Sequence, residues 1–340
     1  MSSKVKNVIN KATEVKGKYN ILTFDTHERY QSQLCKTGHD FYSFRYDNCK
    51  VWDENYAKRP ENYYVLPNNT IFNWLDFDFI LTQSKFGQFQ ATQNINQTLS
   101  LPVLSLEHTL PISSWPKQQT EAFRKMEGDI NVFISDYSAK EWNMSEDYKV
   151  IKHSVDSKLF CPGEWERKNQ VLSVANDFIN RDYCLNYQGW QRVTEGFPVR
   201  VVGDTPGLSE PAKDVSELVK EYQTSSVFFN SSTISPVPTS LVEAMSCGCA
   251  VVSTATCMIP EIIENGKNGL ISNDPQELRG FLELLLKDKD LAKELGDNAR
   301  KTIVEKYNLE TLYLFLSENK IPRLATSLLN FSDFHNSLPV

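Results

Sequence analysis

Most motifs that announce an enzyme's chemistry are absent from this 340-residue chain. It has no G-x-x-x-x-G-K-[ST], no G-x-G-x-x-G, no G-x-S-x-G and no H-E-x-x-H. P-loop hydrolysis, the dinucleotide fingerprint, the nucleophile elbow and the helical zinc pair are therefore excluded. No apolar run is long enough to span a bilayer, and no secretory pattern opens the chain, so a cytoplasmic location is expected. The cysteines number seven, an odd count, and none stands in a C-x-x-C pair. Cys247 and Cys249 are too close together for a zinc knuckle, so buried free thiols and no metal site are expected. Internal repeats and low-complexity tracts are also missing.

An excess of positive charge is lacking as well. Residues 1–155 hold 18 Lys and Arg against 18 Asp and Glu, and residues 156–340 hold 18 against 25, the source of the whole net charge of −7. Neither half carries the field of a dedicated nucleic-acid binder. Hydrophobic residues at 40% and charged residues at 23% fit a globular chain long enough for two domains. One local exception is the lysine-rich start. Lys4, Lys6, Lys11, Lys16 and Lys18 face Glu14, while Val5, Val8, Ile9, Ala12 and Val15 recur at helical spacing. Such an amphipathic helix over 4–18 suits packing on the protein body or weak contact with a membrane surface.

What is present is an alternation of strands and helices. Strands are predicted at Ile21–Phe24, Phe41–Tyr46, Phe77–Thr82, Val103–Leu106, Val132–Ser135 and Val150–Lys152, with a helix over Glu28–Lys36 ended by Gly38. Asp76 and Asp78 fall in an alternating strand entry and read as a solvated face, not a metal pair. A polar stretch over Gly163–Asn169 separates a second series at Val171–Val174, Val199–Val202, Val227–Phe229, Ala250–Thr254 and Gly269–Ile271. Helices follow over Gln276–Lys287, Ala292–Lys306 and Leu309–Glu318. This rhythm predicts an α/β protein with open parallel sheets.

The most informative stretch is Ser235–Gly269. Pro238 fits a first helical turn, where its missing N–H has no partner to lose. Leu241, Val242, Ala244 and Met245 supply an apolar face, and Gly248 the left-handed stop. Ala250–Thr254 then reads as a buried parallel strand. A helix N-terminus beside such a sheet attracts anions, phosphate above all.

Glu243-Ala244-Met245, Gly248, Val251-Val252, Pro260-Glu261-Ile262-Ile263 and Asn268-Gly269 together resemble the donor signature of the retaining glycosyltransferases of family four. His153-Ser154-Val155-Asp156, with Phe160 and Pro162, is similar to that family's interdomain segment. The likeness covers 150–308 well and 20–150 in outline. It implies the GT-B fold, two Rossmann-like domains with parallel sheets facing a central cleft. It further implies an extension at 1–19, an acceptor-side domain at 20–155, a linker at 156–169, a donor domain at 170–309, and a segment at 310–340 crossing back to the first domain.

The implied activity is transfer of a sugar from a nucleotide diphosphate sugar to a hydroxyl, with retention, no metal and no cofactor. The acceptor would be a glycan, lipid or small molecule, with DNA a lesser alternative. Arg181 falls where the family has its diphosphate lysine and Asn176 where it has an arginine, leaving Arg192 or Lys158 to supply a second cation. Glu243 would accept from ribose hydroxyls, although Ser240-Leu241-Val242-Glu243 also fits a capping box. Thr239, Ser240 and Leu241 would meet the phosphates, with Gly203 on the same donor side. Ser235 stands in place of the glutamate that contacts the transferred sugar. His108 would face that sugar, and His27 and Glu107 the acceptor. Two rival readings stay open: a non-catalytic GT-B protein that binds a nucleotide or glycan, and an enzyme glycosylating modified DNA bases.

Overall fold

The computed structural model describes residues 11, 17–144, 148–235 and 237–308. The amphipathic stretch expected at 4–18, save Lys11, Gly17 and Lys18, and the helix expected at Leu309–Glu318 lie outside the described residues. The chain divides into two compact units. One comprises the described residues through Ile134 with Ala139–Ile151, and the other Ser135–Ser138 with those from Lys152 onward. No helix among the described residues is long and apolar enough to cross a membrane.

The first unit holds seven strands: β1 Asn20–Thr23, β2 Asp40–Ser43, β3 Tyr63–Val65, β4 Phe79–Thr82, β5 Val103–Glu107, β6 Ile130–Phe133 and β7 Tyr148–Val150. They lie in the order β3-β2-β1-β4-β5-β6-β7, every pair parallel. Strand order therefore reverses between β1 and β4, the kind of switch point where open α/β sheets bind ligands. Leu22, Phe24, Phe44, Phe77 and Ile80 form a core there. The strand expected to run to Tyr46 stops at Ser43, because the chain turns where Cys49 N donates to Tyr46 O at 3.1 Å. Asp78 is not a solvated strand face: it is buried, and its Oδ2 accepts from Asn20 N at 2.8 Å.

The second unit holds β8 Lys168–Val174, β9 Val199–Val202, β10 Ser225–Asn230, β11 Ala250–Ser253 and β12 Leu270–Ile271. Their order is β12-β11-β10-β8-β9, again all parallel. Val171, Val227, Phe229, Val252, Leu282 and Leu285 build its core. Helices Pro275–Lys287 and Lys289–Lys306 start earlier than apolar spacing predicts, because Asp274 and Asp288 cap them by accepting from Gln276 N and Leu291 N. Gly248, at φ 73°, ends the Thr239–Ser246 helix as expected.

The first part of the expected 156–169 linker is bound to the second unit. Arg300 donates from Nη1 to Phe160 O and from Nη2 to Ser157 O, each at 2.9 Å. Val155 N reaches Tyr307 O at 2.8 Å. Cys247 and Cys249 are fully buried, and burial raises both thiol pKa values, as suits inert core residues.

Candidate functional site

Because each sheet is wholly parallel, all strand carboxyl ends of a unit emerge at one edge. In the second unit the turns after β8, β9 and β10 therefore gather Asn176, Arg181, Gly203, Ser235 and the start of the Thr239–Ser246 helix along a single rim. Arg192 does not share it. Arg192 lies in the last turn of the Tyr187–Thr194 helix, which runs back between β8 and β9 toward the opposite edge. Lys158 is exposed on the segment before β8.

The helix begins at Thr239, with Pro238 as its N-cap at φ −66° and ψ 112°, so the proline lies just outside the first turn. Leu241 N donates to Pro238 O at 3.0 Å and is not open to a ligand, contrary to expectation. The N–H groups of Thr239 and Ser240 find no acceptor among the described residues. No side chain caps this end, and its partial positive charge is left for an anion.

Starting the helix at Thr239 also rules out the capping box, since Ser240 lies inside the helix and the Pro238 N-cap has no N–H to donate to a glutamate. Glu243 instead turns inward. It is 1% exposed, and its Oε2 accepts from the Tyr222 hydroxyl at 2.9 Å. Asn176 is engaged structurally, its Oδ1 accepting from Asp204 N at 2.9 Å. Gly203 is engaged too: its N–H donates to Glu210 O at 3.0 Å, and Ser209 Oγ donates to its carbonyl at 2.7 Å. The glycine sits at φ 139°, where a Cβ would lie 2.0 Å from Ala175 O, so it lets the ends of β8 and β9 meet. Arg181 is exposed, its backbone N–H held by Asp177 O at 3.0 Å. Ser235 is half-buried and makes no hydrogen bond among the described residues.

In the first unit His27, after β1, and His108, after β5, meet at the carboxyl edge. Their rings lie 4.9 Å apart edge-to-face, and Tyr30 packs against His108 at 4.5 Å. A relay of amides orients His108. Its Nε2 lies 3.3 Å from Gln83 Oε1, Gln83 Nε2 donates to Gln31 Oε1 at 2.5 Å, and Gln31 Nε2 to Cys35 Sγ at 3.6 Å. Desolvation, with the Lys50 ammonium nearby, lowers the His27 pKa. The His27 side chain is nonetheless exposed to solvent. Glu107 is turned into the loop. Oε1 accepts from Thr109 N at 2.8 Å and Oγ1 at 2.6 Å, and Oε2 from Lys85 N at 2.9 Å. Burial raises its pKa.

Two groups escaped the sequence reading. Asp25, closing the first-strand loop, is buried and accepts from Ser43 Oγ at 2.9 Å, Tyr63 hydroxyl at 2.6 Å, Arg45 Nε at 3.1 Å and Trp52 N at 3.1 Å. An acid set directly after an apolar strand, in Thr23-Phe24-Asp25, was the available signal. Lys85 is 1% exposed, donates to Met126 O and lies 5.4 Å from the Trp142 ring; burial lowers its pKa.

Residues 211–302 match the family of glycosyl transferases group 1. A probable sucrose-phosphate synthase of Thermosipho melanesiensis is 34% identical over 241 residues, covering 69% of this chain and 55% of that protein. An uncharacterised glycosyltransferase of Methanocaldococcus jannaschii is 29% identical over 329 residues, covering 78% and 83%. The chain thus spans about half the length of the first of these relatives. Among solved structures, sucrose-phosphate synthase from Thermosynechococcus elongatus superposes with a TM-score of 0.71 at 13% identity, covering 91% of this chain and 100% of that one. Anabaena HepE in complex with UDP gives 0.68 at 13%, covering 89% and 99%. At such identities the likeness shows a shared fold. Residues 211–302 form a glycosyl transferases group 1 domain, on a chain whose parallel-sheet α/β architecture is that of the GT-B glycosyltransferases.

Proposed function

We propose that the protein transfers a sugar from a nucleotide diphosphate sugar to a hydroxyl acceptor, with retention and without a metal. One observation carries the reading. The Thr239–Ser246 helix opens on two N–H groups with no internal acceptor, at the carboxyl edge of a parallel sheet and inside the family segment. Such a terminus stabilises the negative charge that grows on a departing diphosphate. Arg181 adds a guanidinium able to grip two phosphate oxygens. Ser235 would meet the transferred sugar and Glu243 the ribose, with Tyr222 orienting its carboxylate. Asn176 and Gly203 shape the turns from which these groups project.

In the proposed step the acceptor oxygen bonds to the anomeric carbon on the face from which the diphosphate leaves. The bond from that carbon to the diphosphate oxygen breaks, and the acceptor proton passes to that oxygen. His108 would face the transferred sugar and His27 the acceptor, with Glu107 on that side fixing the loop that carries His108. UDP-glucose is the first donor to try, since the HepE structures include UDP and UDP-glucose. Release of UDP from UDP-glucose, with retained configuration in the product, tests the proposal; stable binding without turnover toward any acceptor would contradict it. That second reading, a nucleotide-binding protein without turnover, draws on Asn176 being tied to Asp204 and on Ser235 replacing an acid.

A further inference from the structure

We infer that the first unit carries a preformed groove for a neutral saccharide at the carboxyl ends of β2 and β3, and that it holds an outer sugar unit of the acceptor. The second clause rests on the transferase reading; the first does not.

The groove is an open one of about 760 Å³ between the turns after β2 and β3, with Arg45, Tyr46, Asp47, Asn48, Leu66 and Asn68 among its lining residues. Its walls are joined backbone to backbone. Asn69 N donates to Arg45 O at 2.7 Å and Leu66 N to Ser43 O at 3.0 Å. Asn48 and Asn69 adopt left-handed φ values of 62° and 52°, which asparagine tolerates, and so keep both turns tight. Buried Asp25 fixes one wall from beneath, accepting from Arg45 Nε and pairing with Nη2 at 3.1 Å. A site braced this way binds without first having to be ordered.

The chemistry on display favours hydroxyl groups. Arg45 Nη1 makes no hydrogen bond among the described residues, so it offers a donor at the wall. Asp47 Oδ1 already accepts from Asn68 Nδ2 at 2.7 Å and Asn69 Nδ2 at 3.3 Å. That leaves Asp47 Oδ2 and the Asn68 amide oxygen as acceptors. Vicinal hydroxyls, each both donor and acceptor, satisfy such an interleaved set. An anion is disfavoured, because Arg45, the lone cation in the lining, is already matched by Asp25, and the lining also carries Asp47. A lipid chain is disfavoured by the charged and amide side chains of Arg45, Asp47, Asn48 and Asn68 in the lining, while Val51 and Pro67 give a patch for the C–H face of a sugar ring.

The groove lies between β2 and β3, about one and a half strands from β1 and three and a half from β5. At a spacing of roughly 4.8 Å per strand that is about 7 Å and 17 Å along the edge. A sugar held here whose chain also reaches His108 belongs to an oligosaccharide, not to a monosaccharide acceptor.

The test is saturation-transfer NMR and calorimetry, without donor, on maltotriose, cellotriose, xylotriose and chitotriose, with a heparin tetrasaccharide as the anionic comparison. We expect at least one neutral trisaccharide to bind, and Asn68→Ala and Asp47→Ala each to weaken it about tenfold, as loss of one or two hydrogen bonds implies. Both variants should keep the wild-type melting temperature and UDP-glucose affinity. Absence of binding by every neutral probe, unchanged affinity in both variants, or binding of heparin alone would each overturn the groove. UDP-glucose binding in the same samples separates the two readings: its loss with trisaccharide binding intact removes the transferase and leaves the groove, and the reverse result removes only the groove.

Discussion

The Tyr222 hydroxyl donates to Glu243 Oε2 at 2.9 Å, with both side chains closed to solvent. This pairing couples the proposed ribose ligand to the core of the second unit. Tyr222→Phe removes one hydrogen bond from a buried carboxylate and should cost about 1–3 kcal/mol in chemical unfolding. Glu243→Gln should weaken UDP but not 2′,3′-dideoxy-UDP, since only the former offers ribose hydroxyls. Equal weakening of both ligands would place Glu243 in the scaffold alone.

Gly203→Ala forces a Cβ to within 2.0 Å of Ala175 O at a φ of 139°. The clashing atoms nearest it are backbone and cannot swing aside, so a loss of about 2 kcal/mol or more is expected. Urea unfolding that matches wild type would show that the β8 and β9 turns move apart freely.

Arg181 is exposed, and its pull on a diphosphate is screened by salt. Arg181→Ala should weaken UDP about threefold to tenfold at low ionic strength, barely affect uridine, and flatten the salt dependence of UDP binding. Arg181→Lys should recover part of the loss. A variant whose salt dependence equals that of wild type removes Arg181 from the site.

Above pH 6.5 His27 is neutral in both folded and unfolded chains. Its folded pKa is lowered, so as pH falls below 6.5 the unfolded chain takes up a proton that the native ring refuses, and stability drops. His39, lowered by its own burial, acts in the same direction. Unfolding measured at about pH 7.5 and 5.5 should therefore show a smaller loss for His27→Gln than for wild type. An identical loss would mean that His27 titrates as it does in the unfolded chain.

Where periodicity and turn chemistry act locally, the fold was legible from the sequence. Val199–Val202 and the Gly248 stop appear as predicted, because a β-branched run and a left-handed glycine need no distant partner. β3 was not legible. Its three residues sit between Pro60 and Pro67 and become a strand only by pairing with Phe41, Tyr42 and Ser43. The donor rim was legible in composition but not in orientation. The helix opens one residue before Ser240, and Glu243 faces Tyr222, a residue twenty-one positions away. The place of Asp25 after an apolar strand was legible, but its network was not, since its donors Ser43, Arg45, Trp52 and Tyr63 come from three later segments.

The most direct test of the central claim is calorimetry of UDP binding to wild type and to Thr239→Pro. Proline fits the first helical position, and Pro238 already has the extended ψ that a following proline requires, so the substitution removes one N–H and leaves the helix start intact. A hydrogen bond to a charged phosphate is worth about 1.5–3 kcal/mol, so UDP should bind roughly tenfold to a hundredfold more weakly at an unchanged melting temperature. UDP binding as tight as wild type would contradict the placement of the diphosphate on this helix.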